Sequence, residues 1–212
     1  MEIEKNKFLP FIIFLMIFIF NGCATIVYKT IPLRNIAKAK GPYFVGTQNF
    51  QIVDATRKMW FSDDIKGPRE LSVKMWYPAD NIASLKKAPY LNKHKLIGSA
   101  ISKLFGVPEA LMDRAGGVKC NSWLNAVPAN GKFPIIIYSH GHQSIKIANT
   151  SQAEEMASNG YIVVAMDHSY DAALTILDED KIIYSRSKLP ANDEEALQDS
   201  MIQRVKNQLK IR

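Results

Sequence analysis

Phe133-Pro134-Ile135-Ile136-Ile137-Tyr138, followed directly by Ser139-His140-Gly141-His142, decides the fold. The aliphatic run is continuous and β-branched, which suits a strand buried on both faces of a parallel sheet. A helix follows. Ser151-Gln152-Ala153-Glu154 has the spacing of a capping box, and Ala153, Met156 and Ala157 then share one face. Asn159-Gly160 closes the helix, since glycine tolerates the left-handed conformation at a helix end. Tyr161-Ile162-Val163-Val164-Ala165-Met166 is a second buried strand, ending in Asp167-His168. Together these make one βαβ unit with a right-handed crossover. Open α/β sheets bind ligands at the carboxyl ends of such strands. His140, Gly141, His142, Asp167 and His168 all fall there.

Outward from this unit the signals are weaker. Leu71 to Tyr77 alternates apolar and polar, a half-buried strand stopped by Pro78. Gly67-Pro68 marks the turn before it, and Val45-Gly46-Thr47 and Gln51-Ile52-Val53-Asp54 read as a β region. Leu96 to Phe105 suits a short amphipathic helix, Gly116-Gly117 breaks the chain, and residues 125–132 are rich in turn formers. On the other side, Asn192 and Glu195 open a last helix. Its Leu197, Met201, Val205 and Leu209 recur every fourth residue, which expects a sheet to pack on.

The chain has 212 residues, 47% hydrophobic and 22% charged, which fits one globular domain. Its net charge of +7 comes from 27 basic and 20 acidic residues. The basic residues are scattered, so no nucleic-acid partner is expected; a solvated basic surface mildly favouring anionic headgroups is. No Cys/His cluster has metal-ligand spacing, and neither metal nor cofactor is expected. Asp178, Glu179 and Asp180 form an acidic cluster that turn chemistry explains. His94 reads as a solvated loop residue, and Cys120 as a thiol with no disulfide partner.

The first residues read as a leader. An apolar run from Phe8 to Phe20 falls short of the roughly 20 apolar residues a spanning helix needs. It suits the hydrophobic region of a signal peptide. Phe20-Asn21-Gly22-Cys23 resembles a bacterial lipoprotein box, with Phe20 where leucine is usual. Residues 1–22 are therefore expected to be removed and Cys23 lipidated, with residues 23–40 a tether and 41–212 the folded portion. That places the domain in the cell envelope, outside the cytoplasm and anchored to a membrane.

Several segments, in order, resemble the platelet-activating-factor acetylhydrolase family of α/β-hydrolases. They are Gly41-Pro42-Tyr43-Phe44-Val45-Gly46, Met75-Trp76-Tyr77-Pro78-Ala79, Phe133-Pro134 with Ser139-His140-Gly141, Met156 to Val163, and Asp167-His168 where the family has Glu-His. Arg204 also matches. The resemblance implies a partial α/β-hydrolase fold: a mixed, mainly parallel sheet with helices on both faces. It implies metal-free cleavage of phospholipids with short or oxidised sn-2 acyl chains, by a serine with a histidine and an acid. In this superfamily one oxyanion donor is a backbone N–H after the third strand, here that of His142 beside Gly141. His140, Asp167 and His168 are further strand-end candidates. His168 follows the wrong strand for the general base, and a structural hydrogen bond suits it better.

No Gly-x-Ser-x-Gly elbow occurs in the sequence. Three readings stay open: an esterase truncated before its nucleophile elbow and so inactive, a non-catalytic lipoprotein that binds lipid or a partner, or one half of a split hydrolase completed by a C-terminal polypeptide.

Overall fold

A computed structural model describes residues 36–60, 64–106, 108–186, 198–199 and 201–202. The leader, Cys23, most of the tether, Arg204 and most of the last helix lie outside the described residues. Residues 198–199 and 201–202 are helical, but Met201 and Ile202 are exposed rather than packed on a sheet. Among the described residues no helix is long and apolar enough to cross a membrane.

The framework is a mixed sheet. Strands β1 (Phe44–Lys58) and β2 (Pro68–Asn81) form a long antiparallel hairpin. β3 (Lys87–Pro89) leads to helices α1 (His94–Phe105) and α2 (Glu109–Gly116). Then come β4 (Lys119–Leu124), the short β5 (Val127–Pro128) and β6 (Ile135–Ser139). Helix α3 (Thr150–Ser158) crosses over to β7 (Ile162–His168). A small hairpin, β8 (Leu174–Ile176) and β9 (Ile182–Tyr184), follows. The order in the main sheet is β3-β4-β1-β2-β7-β6, with β5 pairing β2. β6 and β7 are parallel, in register from Ile135↔Ile162 to Ser139↔Met166, as the βαβ reading expects. β1 and β4 are also parallel.

The core sits between the sheet and α3. Ala153 and Ala157 pack on Val45, Trp76, Val163 and Ala165, with Ile136 and Tyr138 alongside. Two alanines at helical spacing let the helix lie close to the sheet. Gly41 and Gly46 belong to the same packing. A Cβ on Gly41 would lie 2.1 Å from the Ser158 carbonyl oxygen, and one on Gly46 2.3 Å from the Tyr77 ring. The Gly41-to-Gly46 motif is thus the seam where the chain enters the sheet under the end of α3.

Several expectations change. β6 is not buried on both faces: Ile136 and Tyr138 face α3, while Ile135 and Ile137 are 64% and 72% exposed. β6 is the outer strand among the described residues, and no described element covers its second face. β2 is not half-buried, since Val73, Lys74, Trp76 and Tyr77 all bury. Nor does Pro78 stop it. The pairing with β7 ends at Trp76, so the missing N–H of Pro78 breaks no ladder bond there. The β1 region is one strand. No capping box forms at Ser151. The helix starts at Thr150, and Glu154 instead accepts from Ser122 N at 2.8 Å, Ser122 Oγ at 2.6 Å and Asn121 N at 3.0 Å. Met156 is exposed, whereas Gly160 adopts φ 94° as expected. His94 opens α1 and packs against Gly116 instead of standing in solvent.

Candidate functional site

The parallel register of β6 and β7 brings the strand-end candidates to one edge, where the alternation of a strand then separates them. Asp167 turns toward α3 and His168 to the opposite face. His140, 4% exposed, begins the turn after β6. Its Nε2 accepts the His168 backbone N–H at 3.1 Å, so the proton sits on Nδ1, which donates to the Gly141 carbonyl at 2.7 Å. Both ring nitrogens are occupied. His140 is therefore a brace that ties the turn after β6 to the end of β7.

His168 is held just as firmly. Arg69 Nη2 lies 3.4 Å from its Nδ1, and a guanidinium only donates, so Nδ1 is the acceptor. The proton is then on Nε2, which donates to Ser139 Oγ at 2.5 Å. That is the reverse of a nucleophile–base pair, in which the histidine accepts from the serine. Burial, with His140 and Arg69 nearby, pushes the His168 pKa down to about 3. The imidazole is neutral at ordinary pH and serves as a structural donor.

Asp167 is occupied too. It accepts from the Lys146 backbone N–H at 2.6 Å and pairs with Lys146 Nζ at 2.5 Å, and Nζ also donates to Ser72 Oγ at 2.9 Å. This pins the segment leading into α3. Gly141 and His142 are exposed at the tip, where the Ser144 N–H returns to the Gly141 carbonyl at 3.1 Å and Gln143 takes φ 50°. Nothing lies within 4 Å of a Cβ built on Gly141. No described backbone approaches it, and the space above the edge is open.

Sequence reasoning missed Arg69, Lys146, Ser72 and the role of Ser139. Arg69 and His168 are 99 residues apart, and no local pattern announces such a pairing. The acidic cluster resolves into a short 3₁₀ turn at Asp178–Asp180, with Asp180 paired to Lys93. Cys120 is a buried free thiol whose pKa burial raises to about 12. Among the described residues no group of three or more His, Cys, Asp or Glu is placed to hold a metal.

The mixed sheet, the βαβ crossover and the tight turn after β6 define the front portion of an α/β-hydrolase-type fold. A solved ferulic acid esterase from Streptomyces cinnamoneus superposes with a TM-score of 0.61 at 28% identity, covering 72% of this chain and 41% of that one. The model of the family "Platelet-activating factor acetylhydrolase, isoform II" matches residues 29–212, and the chain belongs to that family. A platelet-activating factor acetylhydrolase of Gallus gallus is 26% identical over 144 residues, spanning 65% of this chain and 31% of the relative. The chain thus spans about a third of that relative's length.

Proposed function

We propose that this chain forms the oxyanion side of a serine esterase acting on phospholipids with short or oxidised sn-2 acyl chains. The observation that carries the reading is the exposed Gly141-His142 tip at the open edge, braced from below by His140 and His168. A serine bonds to the ester carbon, and the carbonyl oxygen takes negative charge. The His142 backbone N–H donates to that oxygen. A histidine carries the serine proton to the departing lysolipid oxygen. Water then releases the acid and restores the serine. Neither Ser139 nor His168 fits the nucleophile or base, because the proton between them points the wrong way.

By this reading the chain alone is inactive, and the nucleophile comes from a strand that pairs along β6. The uncovered Ile135 and Ile137 favour the version in which a second, C-terminal polypeptide supplies it. Lipidation at Cys23 would hold the domain at an envelope membrane, beside its substrate.

The test is to treat the purified 23–212 chain with a fluorophosphonate probe and to assay a short-chain ester. No label and no turnover are expected. Co-expression with a polypeptide carrying a Gly-x-Ser-x-Gly elbow restores both if the split version holds. Stoichiometric labelling of a serine in this chain alone overturns the reading.

A further inference from the structure

A cavity of about 200 Å³ lies on the α3 side of the sheet, under α1 and beside β8. None of Ser139, His140, Gly141, His142 or His168 lines it, so it is separate from the candidate oxyanion edge. Its walls are largely apolar: Phe50, Ile97, Ile145, Ile147, Leu174 and Ile176. Polar groups are few and converge on one side, where Ser72, Lys74, Tyr90 and Lys146 meet.

Lys74 is the unusual member. It is 2% exposed, and its Nζ stands 5.1 Å from the centroid of the Trp76 ring. Among the described residues it makes no ion pair, and Glu154 is already engaged by Asn121 and Ser122. The other two cations of the wall are neutralised, Lys146 by Asp167 and Lys93 by Asp180. An ammonium buried without a carboxylate partner is costly unless something supplies the charge. Ser72 Oγ accepts from Lys146, which leaves its own O–H to donate toward the same place.

We propose that this cavity binds a small monocarboxylate with a short apolar tail. The carboxylate meets Lys74 and the Ser72 hydroxyl, and the tail lies between Phe50, Ile97 and the β8 side chains. One unneutralised cation matches a single negative charge better than a phosphate dianion. The volume lies below the roughly 300–1,000 Å³ of drug-sized pockets, which restricts the tail to a few carbons. A neutral ligand of the same shape would leave Lys74 unpaired. This proposal stands independently of the esterase reading.

The test titrates the whole chain with hexanoate, hexanol and inorganic phosphate, read by calorimetry and by Tm. Hexanoate is expected to bind saturably and raise Tm; hexanol and phosphate at equal concentration are not. Lys74→Met weakens hexanoate binding by about tenfold or more, the loss of one charge-assisted contact. Ile97→Trp fills the cavity with every charge in place, and it abolishes binding even if Lys74→Met folds poorly. Equal binding of hexanol or phosphate, no binding to the folded wild type, or undiminished binding to Ile97→Trp overturns the proposal.

Discussion

His168 is neutral where it lies and would be charged in an unfolded chain at mildly acidic pH, and that difference makes it a pH-dependent element of stability. Its folded pKa is about 3 against an ordinary 6.5, so below pH 6.5 the unfolded state binds the extra proton. Stability therefore falls as pH drops from about 6.5 toward 3, with a slope of at most about 1.4 kcal/mol per pH unit. Asp54 acts in a different window. Its pKa is lowered to about 2 by hydrogen bonds from Thr56 and Arg57, so its contribution is lost only below its ordinary 3.8. Urea unfolding at pH 7 and pH 5 is expected to show a clear loss in the wild type. His168→Gln, which keeps a donor for Ser139, should show less than half of it. An equal loss in both would assign the titration to another group. Cys120 gives a second reading at this scale. With its pKa near 12, it should resist a maleimide at pH 8 in the folded chain and react fully once urea unfolds it. Rapid labelling of the folded chain would mean that the site opens.

At the scale of elements, Glu154 shows why the helix start read from the sequence differs from the one formed. Ser151 to Glu154 has capping-box spacing, but the Glu154 carboxylate is taken by the β4 backbone and by Ser122, more than 30 residues back in the chain. A tertiary demand outcompeted a local one. The same bond set joins α3 to β4, so Glu154→Ala is expected to destabilise the fold by about 3 kcal/mol or more, through the stranded donors of Asn121 and Ser122. Chemical denaturation measures it, and a loss below about 1 kcal/mol would mean that the carboxylate is dispensable. What was legible follows one division. The crossover from β6 to β7 was readable because run, helix, glycine and run are local signals. The burial of Lys74 and the Arg69–His168–Ser139 chain were not, because each depends on strands brought together from distant parts of the sequence. The strand-end set was found as a group, but its division between two faces needed the register.

At the scale of the molecule, β6 carries the sharpest contrast between composition and environment. Its aliphatic run reads as core, yet only alternate residues are. Ile136 packs beneath α3, and truncating it to alanine should cost about 2 kcal/mol or more. Ile137, 72% exposed, should tolerate serine within about 0.5 kcal/mol. An outer strand with an apolar, uncovered face invites pairing with another chain. Self-association is therefore expected to rise with protein concentration, and the double change Ile135→Lys and Ile137→Lys should suppress it while leaving the unfolding midpoint nearly unchanged. Sedimentation velocity separates the outcomes. A monomer at every concentration in the wild type would mean that this face is covered, and the strand-pairing version of the esterase reading would lose its support. Concentration-dependent association abolished by the two lysines would identify β6 as the surface that a complementary strand has to occupy.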